Sequence, residues 1–124
     1  MDSSNVSLVV QQGENILASM KDLKNAAKKK GKARFDLYER FSANIHSYYV
    51  YTLTDSKIEE SPEVIAFLEK LDQFQEYYKN VGIDFDCTVD IRNAAIAYDN
   101  VLSAFNEMVT ALGLPDRKIN AKKF

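Results

Sequence analysis

Four consecutive segments with helical apolar spacing, too few turn-forming residues for a β architecture, and a length suited to one core together predict an all-α domain. The expected form is an antiparallel up-and-down four-helix bundle with short loops and a basic C-terminal tail. The chain has 124 residues with only 4 Gly and 2 Pro, which can punctuate a few long helices but not the many turns of a sandwich or barrel. A hydrophobic fraction of 46% and a charged fraction of 27% are enough to drive burial of a single core.

The first helix is expected over about 4–30. Val6, Val9, Gly13, Ile16, Met20, Leu23 and Ala27 alternate steps of three and four, the spacing of a heptad seam. Ser3, Ser4 or Asn5 can cap its start, and Gly31 can take the left-handed turn that ends it. Gly13 costs about 1 kcal/mol relative to alanine in a helix interior, unless it admits a close neighbour.

The second helix, about 32–53, carries Tyr38, Phe41, Ile45, Tyr48 and Thr52 on one stripe, with Leu37, Tyr49 and Tyr51 off it. The stretch 54–60 has no sustained period and reads as a loop. Ser61-Pro62-Glu63 then combines an N-cap, a proline at the first helical position and an acid that favours the helix dipole. It opens a third helix, about 62–81, with Val64, Phe67, Leu71, Phe74 and Tyr78 as its seam and a Schellman cap at Gly82 and Ile83.

A fourth helix, about 88–112, is expected to start at Thr88, with Asp90 in its first turn, and to end at Gly113 with Pro115 beyond. Its seam is Ile91, Ala94, Tyr98, Val101, Phe105, Met108 and Leu112. Short connections make successive helices antiparallel neighbours, and heptad spacing predicts shallow crossings near 20°. The tail, 114–124, is too short in period for a further helix and reads as a solvated terminus.

Composition narrows the function classes. One cysteine, Cys87, cannot form an internal disulfide, so an intracellular, cytoplasmic setting is the default expectation. No basic leader precedes an apolar run, and no stretch approaches the roughly 20 apolar residues of a membrane span, so membrane insertion is not expected. A net charge of -2 argues against a wholesale polyanion binder.

A nucleic-acid role would therefore be local, at the basic turn of Lys21, Lys24, Lys28, Lys29, Lys30, Lys32 and Arg34. Such a cluster can contact phosphates in a salt-dependent, sequence-independent way; equally, cations at a helix C-terminus complement its dipole. Opposing it, the stretch from Asp55 to Asp90 holds ten acids against Lys57, Lys70 and Lys79.

Motifs for catalysis or metal are sparse, and no cofactor is expected. Asp84, Asp86, Thr88 and Asp90 alternate like the first half of a calcium loop. Val89 stands where that loop needs glycine, and Ala95 where it needs a closing glutamate. The single histidine, His46, has Ala43 where a di-iron bundle would place the glutamate of Glu-x-x-His.

Arg40 and His46, five residues between them, form a pair that resembles the Arg-x(4-6)-His element of the HEPN ribonucleases, themselves small helical bundles. The resemblance covers two residues and implies RNA cleavage at a dimer interface; Phe41 departs from the polar residue usual after the arginine.

The aromatic surplus of the second helix is the most informative feature. Tyr48, Tyr49 and Tyr51 occupy three of four consecutive positions and spread round the helix, so they cannot all face one core. Tyrosine is enriched at interfaces. The reading that follows is a non-catalytic interaction module that binds a protein partner, or its own copy, through Tyr48, Tyr49, Tyr51 and, on the third helix, Tyr77.

Overall fold

The apolar seams fix where the helices lie. A computed structural model describes residues 3–26, 32–81 and 89–120, and among them there are helices and no strands. The long helices are α1 (Ser3–Asn25), α2 (Lys32–Thr52), α4 (Pro62–Glu76) and α5 (Ile91–Ala111); α3 (Ser56–Glu59) is a single turn, and a 3-10 turn spans Pro115–Arg117. The fold is all-α, as the sequence predicts. No helix among the described residues is long and apolar enough to cross a membrane.

Ring contacts set the direction of α2 against α4. Phe41 meets Phe74 at 5.6 Å between ring centroids, and Tyr48 meets Phe67 at 5.4 Å, both edge to face. As numbering rises on α2 it falls on α4, so the two run antiparallel. The same holds for α1 and α5, where Gly13 lies against Phe105 and the Lys24 ammonium sits 4.2 Å from the Tyr98 ring centroid. The backbones approach most closely within the pairs α1–α2 and α4–α5.

Every described member of the first seam is buried, and so are Val10, Leu17 and Ala26. Gly13 is there for close approach: a Cβ at this position would stand 3.1 Å from Phe105 Cε2 and 3.6 Å from Met108 Cε. The third seam, Val64, Phe67, Leu71, Phe74 and Tyr78, is buried throughout. On α5 the seam is buried from Ala94 to Leu112, but Ile91 is 52% exposed and does not belong to it. It is the first residue of the helix and turns away from the core that Val89 before it and Ala94 after it enter.

Five features differ from expectation. The first helix, expected to about 30, ends at Asn25, with Ala26 already in a turn. The loop expected at 54–60 contains α3, capped by the Asp55 carboxylate, which accepts from the Lys57 N–H at 2.9 Å, and it buries Ile58. A single turn has no period to read. Ser61 sits at the N-cap of α4 as expected, but its hydroxyl donates to Glu63 at 3.1 Å and makes no capping bond.

The third long helix stops at Glu76 and not near 81. Beyond it, bonds from Tyr77 N–H to Phe74 O, Tyr78 N–H to Gln75 O and Val81 N–H to Tyr78 O tighten the chain into i→i+3 turns, which keep Tyr78 and Val81 in the core. Finally, Asp90 and not Thr88 caps α5, accepting from the Asn93 N–H at 3.2 Å and from its side-chain amide at 2.6 Å.

The C-terminus of α5 is a Schellman motif: the Leu114 N–H bonds Val109 O at 2.8 Å, the Gly113 N–H bonds Thr110 O at 3.1 Å, and Gly113 takes φ 84°. The segment after it is docked, not solvated as expected. Asn106 and Ile119 exchange two bonds, at 2.9 and 3.1 Å, and the Arg117 guanidinium pairs with Glu14 on α1. Gly31, Gly82, Ile83, Asp84, Asp86, Cys87 and Thr88 lie outside the described residues.

Burial leaves a signature at high pH. Desolvation raises the phenol pKa values of Tyr48, Tyr78 and Tyr98; Tyr98 is pushed up to about 12, with the Asp99 carboxylate adding to the effect, and the Arg34 guanidinium partly offsets the rise at Tyr78. A phenol that holds its proton to a higher pH in the folded state gives a contribution that is full below the unfolded value of about 10 and is lost as pH rises through the folded value. Stability should therefore fall above about pH 10, with phenolate absorbance from these residues rising together with loss of helical circular dichroism. Complete ionisation of all 7 tyrosines with the helices intact would contradict this burial.

Candidate functional site

The core claims part of the aromatic surplus. Tyr48, expected at a binding surface, is fully buried, and its hydroxyl donates to Met108 Sδ at 3.0 Å. Tyr51 and Tyr77 are half-buried and pack against the core. Only Tyr49 of the four is exposed, at 49%. The reason is angular: successive helical residues are about 100° apart, so once Phe41, Tyr48 and Thr52 face inward, Tyr49 must turn away.

Tyr49 turns into a groove of about 360 Å³ between α2 and α4. Ser42, Ile45, His46 and Tyr49 form the α2 wall; Leu68, Asp72 and Gln75 form the α4 wall. One end is tied: the Gln75 side-chain amide donates to Ser42 Oγ at 3.0 Å and to the Tyr38 hydroxyl at 3.4 Å, which fixes the spacing of the two helices there. At the other end the apolar surface continues. Leu53 lies one turn past Tyr49, its N–H bonded to Tyr49 O, and Ile65 lies one turn before Leu68; both are exposed.

The groove is thus graded along its length. Ile45, Tyr49 and Leu68 line its apolar part, which Leu53 and Ile65 extend by helical register toward the α2–α4 connection; Asp72 lines the other part, with Glu39 one turn before Ser42. Among the described residues the side chains of Asp72, Glu39 and His46 have no hydrogen-bond or ion-pair partner. Such a surface can receive an amphipathic helix as a fifth member of the bundle. Tyrosine enrichment does not point to Leu53, Ile65 and Leu68; the signal for them is that each falls one position off a core seam.

A larger hollow of about 500 Å³ lies between α4, α5 and the docked tail. It is lined by Glu63, Asn106, Glu107, Thr110, Ala111 and Lys118. Ala111 is its one wholly apolar side chain; the other lining residues carry polar or charged groups.

The basic turn is only partly in view. Lys28, Lys29 and Lys30 lie outside the described residues, as does the Lys32 side chain. Arg34, expected among the phosphate contacts, is buried at 3% exposure, and Lys24 lies over the Tyr98 ring in a cation–π contact. Lys21 remains on the surface of α1, half-exposed. Arg34 is thus inside the fold, close enough to Tyr78 to act on its phenol, and Lys24 packs against α5.

Arg40 and His46 do not converge within one chain. Arg40 lines a hollow with Asn15, Ala18, Ser19, Asp22 and Asn44 between α1 and α2, whereas His46 lines the α2–α4 groove. Six helical steps place them about 120° apart, too divergent to meet at one phosphate. Among the described residues no group of three or more His, Cys, Asp or Glu side chains is arranged to hold a metal ion.

Compared with protein-family models, with curated proteins and with solved structures, the chain gives no match in any of the three. The site's own geometry is the basis for assigning it a role.

Proposed function

We propose that this protein is a non-catalytic helical interaction module that receives a protein segment in the groove between α2 and α4. The observation that carries this reading is the apolar strip of Tyr49, Leu53 and Ile65, which stays exposed beside a groove although the core beneath it is complete. Leaving large apolar side chains in water stabilises nothing in the isolated chain; burying each against a partner is worth about 1.5–3 kcal/mol when complete. Tyrosine at the centre of such a strip fits the anchor role that aromatic residues hold at interfaces.

The test is association of the full chain with its partner, captured from the native cell and then followed with purified components. Tyr49→Ala and Leu53→Ser should each weaken the complex by about tenfold or more with little dependence on salt, because the contact is apolar. Tyr48→Phe, a change inside the core, should leave it intact. Capture and solution mass unchanged in both surface variants would end this reading.

A further inference from the structure

The charge around the groove specifies what kind of segment it takes, provided that the interaction reading above holds. We infer that the occupant is a basic amphipathic helix, its apolar anchors over Tyr49 and Leu68 and its cations over Asp72 and Glu39. From Asp55 to Lys79 the chain carries seven acids and three lysines, and of the seven acids Asp72 lines the groove itself. None of the three lysines lines the groove. Lys79 pairs with Glu76 at 2.5 Å, Lys70 is two positions from Leu68 and so on another side of α4, and Lys57 belongs to α3. Arg40, the nearest cation on α2, lines the hollow against α1.

Among the described residues the carboxylates of Asp72 and Glu39 therefore have no cation partner, beside an apolar strip, and a partner with the complementary grading satisfies both halves at once. The stripe from Glu39 to Leu53 rises about 21 Å, which matches a ligand helix of about four turns. A second copy of this chain fits poorly. Paired through this face about a two-fold axis, each acidic end would lie over the other copy's acids or over its apolar end, and either arrangement strands carboxylates without partners. A polyanion or an anionic membrane surface meets the same repulsion.

The probes are two fluorescent synthetic peptides of about four helical turns with an identical leucine stripe, one carrying lysine and the other glutamate at the remaining positions. Binding to the full chain is read by anisotropy at low and at physiological salt. The lysine peptide should bind at least about tenfold more tightly than the glutamate peptide. Asp72→Lys should reduce that preference severalfold and flatten its salt dependence, and Tyr49→Ala should weaken the lysine peptide by about tenfold or more. Ile96→Ala, an exposed residue of α5, should change nothing. Leu53→Ser serves as a second groove variant, and circular dichroism confirms that each variant is folded.

Equal binding of the two peptides, lost together in Tyr49→Ala, would overturn the charge assignment while leaving the groove as an interaction site. Failure of the lysine peptide to bind, or binding indifferent to both Tyr49→Ala and Leu53→Ser, would overturn the inference, and indifference would remove support for the groove itself. A chain that is dimeric alone and becomes monomeric with Tyr49→Ala would assign the groove to a second copy and overturn the inference as well.

Discussion

Tyr48→Ala is expected to destabilise the fold by about 3–5 kcal/mol, the range for truncating a buried large aromatic side chain. Tyr48 is 0% exposed, its ring stands edge-on to Phe67 at 5.4 Å, and Phe67 in turn lies 5.7 Å from Phe105. Removing the ring takes away the transfer free energy of its buried surface and leaves a void between α2, α4 and α5 that neighbouring rings cannot fill without leaving their own contacts. For a domain whose total stability is about 5–15 kcal/mol, that loss is a large share.

Tyr48→Phe separates the ring from its hydroxyl. It keeps the volume and removes only the bond to Met108 Sδ, a weak acceptor, so its cost should stay below about 1 kcal/mol. Urea denaturation with unchanged m-values gives both numbers. A loss below about 1 kcal/mol in Tyr48→Ala would return Tyr48 to the surface, where the run of tyrosines alone would put it.

Gly13→Leu is expected to cost about 3 kcal/mol or more and to spread the α1–α5 contact. A single methyl at this position would already lie 3.1 Å from Phe105 Cε2, and Phe105 is fully buried against Phe67, so its ring has no free side toward which to move. Gly13→Ala sets two effects against each other. Helix propensity favours alanine by about 1 kcal/mol, whereas forcing a buried ring aside costs about 1–3 kcal/mol. The net should be a destabilisation of about 1 kcal/mol, and its sign is diagnostic. If Gly13→Ala stabilised the protein by the full propensity gain, α5 would not approach α1 here.

Both expectations concern the same junction. Phe67 links Tyr48 of α2 to Phe105 of α5, and Phe105 rests on Gly13 of α1, so residues from all four long helices meet in one aromatic layer. The two variants share neighbours, and their combined effect should not be additive.

The apolar strip of α2 and α4 gains its meaning from this layer. Because the core is closed by Tyr48, Phe67 and Phe105, Tyr49 is not needed to complete it. A side chain that the core does not need, and that leaves apolar surface in water next to a groove, is where an interaction can act without cost to the fold.

The helices and their inner faces are legible in the order of residues. Val64, Phe67, Leu71, Phe74 and Tyr78, or Val6, Val9, Ile16, Met20 and Leu23, recur at the helical period, and that period acts locally through side-chain geometry. Gly113 as the stop of α5 is equally legible, because a left-handed residue followed by proline has one local use. Short-range chemistry fails where the signal is shorter than a turn or two, as at α3, at Asp90 and at the end of α4.

Period separates the adjacent tyrosines: Tyr48 falls on the stripe of Phe41 and Thr52 and is buried, and Tyr49 falls off it and is exposed. What period does not specify is what Tyr48 meets across the core, Phe67 and Met108, and what lies beside Tyr49. The groove is likewise a property of two helices held at a fixed spacing by Gln75, Ser42 and Tyr38, with Gln75 more than thirty positions from both of its partners in the chain. Periodicity specifies a face of one helix; which faces meet, and which are left open to a partner, is fixed only when the helices share a core.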